Sequence, residues 1–129
     1  MYTEILNNLT GEKLNKWNSF LERANLKPDN LIERTVIIWD ADEIIATASR
    51  YRNILKFVAV NEKFQGEGLL AKVITELKND ANTFGIHHLF LYTKPANEKF
   101  FSDLFFYTVA KTDDVVLTVF SFKIAICSH

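Results

Sequence analysis

Apolar residues change their period along this chain, and the changes divide it into elements. Leu6, Leu9, Leu14, Trp17, Phe20, Leu21 and Ala24 fall three, four or five residues apart, which predicts one amphipathic helix, or two short ones broken near Thr10-Gly11. Leu26-Lys27-Pro28-Asp29-Asn30 ends that segment with turn chemistry. The β-branched runs Arg34 to Trp39 and Glu43 to Ser49 flank Asp40-Ala41-Asp42, a pattern that predicts a hairpin. Arg50-Tyr51-Arg52-Asn53 then leads into Ile54 to Val60, a third strand, so an antiparallel meander is expected.

Beyond Val60 the period changes to that of a helix. Leu69, Leu70, Val73, Ile74, Leu77, Ala81 and Phe84 mark one face of a helix of about four turns, with Glu67 expected in its first turn and Gly85 just past its end. His87 to Thr93 is a continuous apolar strand closed by Pro95, and a strand, helix, strand order implies that the two strands are parallel. Asn97 to Phe105 predicts a short helix. Val109 to Lys111 and Val115 to Ile126 predict two last strands around Thr112-Asp113-Asp114. No repeat or linker interrupts residues 1–129, which read as a single domain.

The loop Phe64-Gln65-Gly66-Glu67-Gly68, between the third strand and the long helix, carries the candidate chemistry. The start of a helix leaves backbone N–H groups without partners and bears a partial positive charge, and two glycines let an anion come close to them. The loop is neither a Walker A motif nor a dinucleotide fingerprint. A phosphate cradle and a tight structural turn are the two readings of this loop.

Composition narrows the choices. Hydrophobic residues at 48% and charged residues at 24% describe an ordinary globular chain, and a net charge of −1 offers no electrostatic case for nucleic acid. No apolar run reaches the roughly eighteen residues of a membrane span, and Met1-Tyr2-Thr3-Glu4 lacks a basic signal start, so a cytoplasmic location is expected. The one cysteine, Cys127, reads as a small apolar residue. His87 and His88, adjacent in a strand, point to opposite faces, and Asp113-Asp114 reads as a turn, so no metal is expected.

The order of elements and the segment Gln65-Gly66-Glu67-Gly68-Leu69-Leu70 resemble the GNAT N-acetyltransferase family, whose loop reads Q/R-x-x-G-x-G/A; Leu70 departs at the last position. Residues 16–112 resemble more closely the acetyltransferase-like N-terminal domain of the citrate lyase ligase family, through Leu55 to Val60, Phe64 to Leu69, His88 to Pro95 and Asn97 to Phe106. In that family the ligase chemistry belongs to a downstream domain with an H-x-G-H motif. Here His87-His88 is followed by Leu89-Phe90, so ligase activity is not expected. Leu117 to His129 departs from the resembled pattern and reads as a truncated or frame-shifted end of a longer protein.

The resemblance implies an α+β fold, an α/β/α sandwich whose mixed sheet has an N-terminal antiparallel meander and a splayed parallel strand pair. It implies acetyl-CoA as co-substrate, with the pantetheine arm bonded by the backbone of Val58 and Val60 and the diphosphate by the amides of Gln65, Gly66, Glu67, Gly68, Leu69 and Leu70. Asn97 would also reach the arm. Acetyl transfer to an amine needs a base and usually an acid for the leaving thiolate. Phe101 stands beside the arm where the family often has an acidic Tyr, so Tyr107, or else Tyr92, is the candidate acid; Glu62 is the candidate base, ahead of Glu43 and Asp40. Phe105 replaces a common Gly, which implies a different turn there.

The resulting expectation is an N-acetyltransferase acting on a small-molecule or peptide amine, with a non-catalytic acyl-CoA-binding domain as the alternative. Neither nucleic acid nor membrane is expected as a partner. The apolar C-terminal strand, if it were an exposed edge, would support a homodimer.

Overall fold

The computed structural model describes residues 1–121. Seven strands form one mixed sheet: β1 (Tyr2–Leu6), β2 (Arg34–Asp40), β3 (Glu43–Tyr51), β4 (Ile54–Val60), β5 (His88–Thr93), β6 (Tyr107–Lys111) and β7 (Val116–Ser121). Their order across the sheet is β1-β2-β3-β4-β5-β7-β6. Helix α1 (Gly11–Arg23) packs on one face and α2 (Leu69–Thr83) on the other, with the short α3 (Glu98–Asp103) following β5. This is the expected α+β sandwich.

The alternation of side chains along the strands builds two cores. Val36, Ile38, Ala46 and Leu55 join Val73, Ile74 and Leu77 of α2, together with Phe101, Phe106 and Phe120. Ile37, Trp39 and Ala59 face the other way onto Trp17, Phe20 and Leu21 of α1. The buried Trp17 indole donates to Thr47 Oγ1 at 3.1 Å, and that hydroxyl donates to the Val36 carbonyl at 2.8 Å.

The meander β2-β3-β4 and the parallel β4/β5 pair form as expected. The end of α2 also follows the glycine signal. Gly85 takes φ +78°, its amide donates to Asn82 O, and the Ile86 amide donates to Ala81 O at 2.9 Å.

Four expectations are corrected. Tyr2–Leu6 is a strand, because its backbone pairs rung by rung with Leu6↔Thr35 to Tyr2↔Trp39, and the helix begins only at Gly11. Glu67 lies before α2, whose N-cap is Gly68 in the left-handed region, so its carboxylate is outside the first turn. The turn at Phe105 keeps the glycine geometry: Phe105 adopts φ +70°, and the Phe105 and Phe106 amides donate to Ser102 O and Phe101 O at 3.0 Å. Val116–Ser121 is not an edge, because β5 and β6 pair with it on either side, which removes the argument for dimerisation through it. Residues 122–126 of the predicted last strand, and Cys127, lie outside the described residues.

Candidate functional site

Strands β4 and β5 are joined by a single rung, Ile54 opposite Phe90, with the Phe90 amide donating to Asn53 O at 2.8 Å. β5 then pairs with β7 over six positions, from His88↔Ser121 to Thr93↔Val116. β4 stays paired with β3, so the β4/β5 gap opens toward Val60 and Thr93. At the open end the Asn61 amide donates to Ile45 O at 2.8 Å, toward β3. Because successive residues of a strand direct their backbone groups to alternate sides, the Val60 amide faces the gap.

A bulge shapes β4 midway. The pairing shifts from Ser49↔Lys56 to Thr47↔Ala59, leaving Phe57 and Val58 opposite Ala48, and Phe57 takes φ +55°. Phe57 packs edge-on against Trp17 at 5.5 Å on the α1 side, whereas Val58 joins the core beneath α2. A left-handed Phe is strained by about 1–2 kcal/mol, held here by neighbours on both faces.

The chain leaves β4 through a short 3-10 turn, Glu62–Phe64, capped by the Asn61 side chain, which accepts from the Lys63 amide. Gly66 (φ +84°) and Gly68 (φ +76°) swing the backbone into α2, with open space where each Cβ would stand. The first helical bond runs from the Lys72 amide to Gly68 O at 3.0 Å, so the amides of Leu69, Leu70 and Ala71 lie upstream of the ladder at the positive end of the helix. The Gln65 amide is already engaged, donating to Glu62 O at 3.3 Å.

These elements enclose a groove of about 280 Å³ lined by Val60, Phe64, Gln65, Gly66, Gly68, Leu69, Leu70, Ala71 and Phe100. The structure thus brings most of the expected loop together with Val60. Phe100, which the sequence reading missed, forms the far wall. Phe101 is buried in the core, its ring edge-on to Phe100 (5.0 Å) and Phe106 (5.7 Å). In a six-residue helix two adjacent aromatics face about 100° apart, and only the packing decides which one meets the core. Asn97 is exposed at the N-cap of α3 and makes no capping bond with its side chain.

The candidate acid and base are not brought together. Glu62 is exposed at the open end of β4. Tyr107 lies in one row with Val119, Phe90 and Ile54, level with the closed end of the gap and two strands away from β5. Tyr92, 61% exposed, stands two residues past the rung on β5, nearer the opening.

A larger concavity of about 470 Å³ lies on the α1 side, lined in part by Asn18, Glu22, Asp29 and Glu33. Two of its carboxylates are engaged: Asp29 by Lys56 Nζ at 2.9 Å and Glu33 by the Arg52 amide. Seven residues along α2 from Ala71, Lys78 is buried, and desolvation pushes its pKa down to about 8. Among the described residues no group of three metal-binding side chains occurs, and no helix is long and apolar enough to cross a membrane.

No family model matches the chain. It is 35% identical over 107 residues to a citrate (pro-3S)-lyase ligase of Haemophilus influenzae, an alignment covering 82% of this chain and 32% of that protein. The chain spans about 30% of the length of the curated relatives it matches. An acetyltransferase of the GNAT family from Staphylococcus aureus Mu50 superposes with a TM-score of 0.72 at 14% identity, covering 93% of this chain and 99% of that one. N-acetylglutamate synthase from Neisseria gonorrhoeae, solved with coenzyme A and N-acetylglutamate, superposes with a TM-score of 0.76 at 13% identity, over 94% of this chain and 35% of that one. This chain is therefore a homologue of a segment of the citrate lyase ligases, built on the GNAT acetyltransferase fold.

Proposed function

We propose that the chain binds acetyl-CoA across the groove and transfers its acetyl group to a primary amine. The observation that carries the reading is the gap between β4 and β5, joined by one rung and opening beside the free amides that start α2. The amides of Leu69, Leu70 and Ala71 receive the diphosphate. The pantetheine arm lies in the gap as an added strand, bonded by the backbone of Val58 and Val60, with Asn97 and Phe100 on its outer side.

The amine nitrogen attacks the thioester carbonyl, the oxyanion is held by a β4 amide, and collapse expels the thiolate, which takes up a proton. Glu62 is the base in this reading, and Tyr92, nearer the opening, is the acid in preference to Tyr107. The position of Tyr107, level with the closed end of the gap, and the burial of Phe101 favour a second reading in which the domain binds acyl-CoA without turnover.

Calorimetric titration with acetyl-CoA, run beside thiol release against a panel of amines, tests both. Saturable binding with thiol release supports transfer, binding alone supports the second reading, and absence of binding overturns both.

A further inference from the structure

Lys78 sits in the middle of α2 with only 7% of its surface exposed, a position where an apolar side chain would fill the same space without the cost of burying an ammonium. Its Nζ donates to the carbonyl of Leu104 at 2.5 Å, and lies 3.8 Å from the centroid of the Phe120 ring and 5.0 Å from that of Phe106. Leu104 is the C-cap of α3, the helix that carries Phe100, the far wall of the groove. The near wall is the first turn of α2 itself. One side chain therefore joins the two elements that face each other across the groove, and it does so at the turn where Phe105 holds a left-handed backbone.

We propose that Lys78 is a positioning residue: by tying the middle of α2 to the closing turn of α3, its ammonium sets the spacing of the groove walls. The consequence for the ligand rests on the groove being the acyl-CoA site. The groups facing Nζ are the Leu104 carbonyl at the end of α3, the Phe106 ring just after it and the Phe120 ring of β7. Burial is the cause that moves its pKa, and no charged side chain of α2, α3 or β7 among the described residues contributes to it. Loss of the proton weakens the bond to Leu104 and removes the cation from the rings, so the tether slackens in mildly alkaline solution.

The test compares the wild type with Lys78→Met and Lys78→Arg. In the ligand-free proteins, NMR signals of the Phe100 ring and the Asn97 amide are followed from about pH 6.5 to about pH 9.5, which brackets the titration. In the wild type they move together with a midpoint near pH 8. In Lys78→Met they do not titrate and sit where the alkaline wild type sits, and in Lys78→Arg they hold the neutral position throughout. Acetyl-CoA, which has no free thiol to titrate, binds about tenfold more weakly to the wild type at the alkaline end and to Lys78→Met at every pH. Signals that stay flat in the wild type, or titrate equally in Lys78→Met, overturn the tether. Wild type that fails to bind acetyl-CoA overturns the site reading instead, while the ligand-free signals still decide the tether.

Discussion

Ile54 and Phe90 form the one rung between β4 and β5, and from there the two strands run on with different partners. Proline at a strand position whose N–H points away from its neighbour removes no bond of the sheet. Val60→Pro should therefore fold with the circular dichroism of the parent and bind acetyl-CoA about tenfold more weakly, because the lost amide is one that faces the gap. Calorimetry checks this; unchanged affinity would mean that the arm does not use Val60.

Glu67 is exposed in the glycine loop and puts a negative charge beside the amides proposed for the diphosphate. Glu67→Gln should tighten acetyl-CoA binding by about two- to five-fold at low salt, and the gain should shrink as salt screens it. A titration series in salt measures both effects.

The left-handed Phe105 is 64% exposed and leaves little contact behind when removed. Phe105→Gly should raise stability by about 1 kcal/mol, or about 3 °C in Tm, by relieving backbone strain. Thermal unfolding reads the change, and a lower Tm would show that the aromatic ring matters more than the backbone.

Arg34 donates to both carboxylate oxygens of Asp80, at 2.9 and 2.5 Å, with Asp80 only 8% exposed, and the carboxylate raises the pKa of the guanidinium. Arg34→Met leaves that carboxylate buried without its partner and should cost about 3 kcal/mol in chemical denaturation. Arg34→Met combined with Asp80→Leu should recover most of the loss.

Burial lowers the pKa of Lys78 to about 8 in the folded protein, while the unfolded side chain titrates at its ordinary value of 10.5. Between these values the unfolded state binds more protons than the native one, so stability rises with pH across that window, and the burial penalty is present in full below it. The slope is up to about 1.4 kcal/mol per pH unit. The difference in unfolding free energy between wild type and Lys78→Met, measured from about pH 7 to about pH 10, isolates it. A difference that does not vary with pH would contradict the shift.

Local chemistry made the sheet and α2 legible. The β-branched runs of β2 and β3, the glycines at 66, 68 and 85 and the 3.6-residue period from Leu69 each favour one structure, and the fold follows them. The N-terminal strand was not legible, because Tyr2–Leu6 is held by the edge of β2, whose paired residues stand from 29 (Leu6↔Thr35) to 37 (Tyr2↔Trp39) positions away. The β4 bulge was hidden for a similar reason: the left-handed backbone falls on Phe57, a residue that gives no turn signal, and packing against Trp17 holds it there. At the site, the glycine loop could be read because the backbone chemistry of a helix start depends little on side chains. Phe100 and Lys78 could not, because their roles depend on which way a six-residue helix turns and on what covers α2.

The most direct test is an amide-resolved NMR titration of the protein with acetyl-CoA. The expected result is a saturable movement of the Gly66, Gly68, Leu69, Leu70 and Ala71 amides together with those of Val58 and Val60, all with one dissociation constant. Amides of the loop and of β4 that stay fixed at saturating acetyl-CoA would contradict the assignment of this groove.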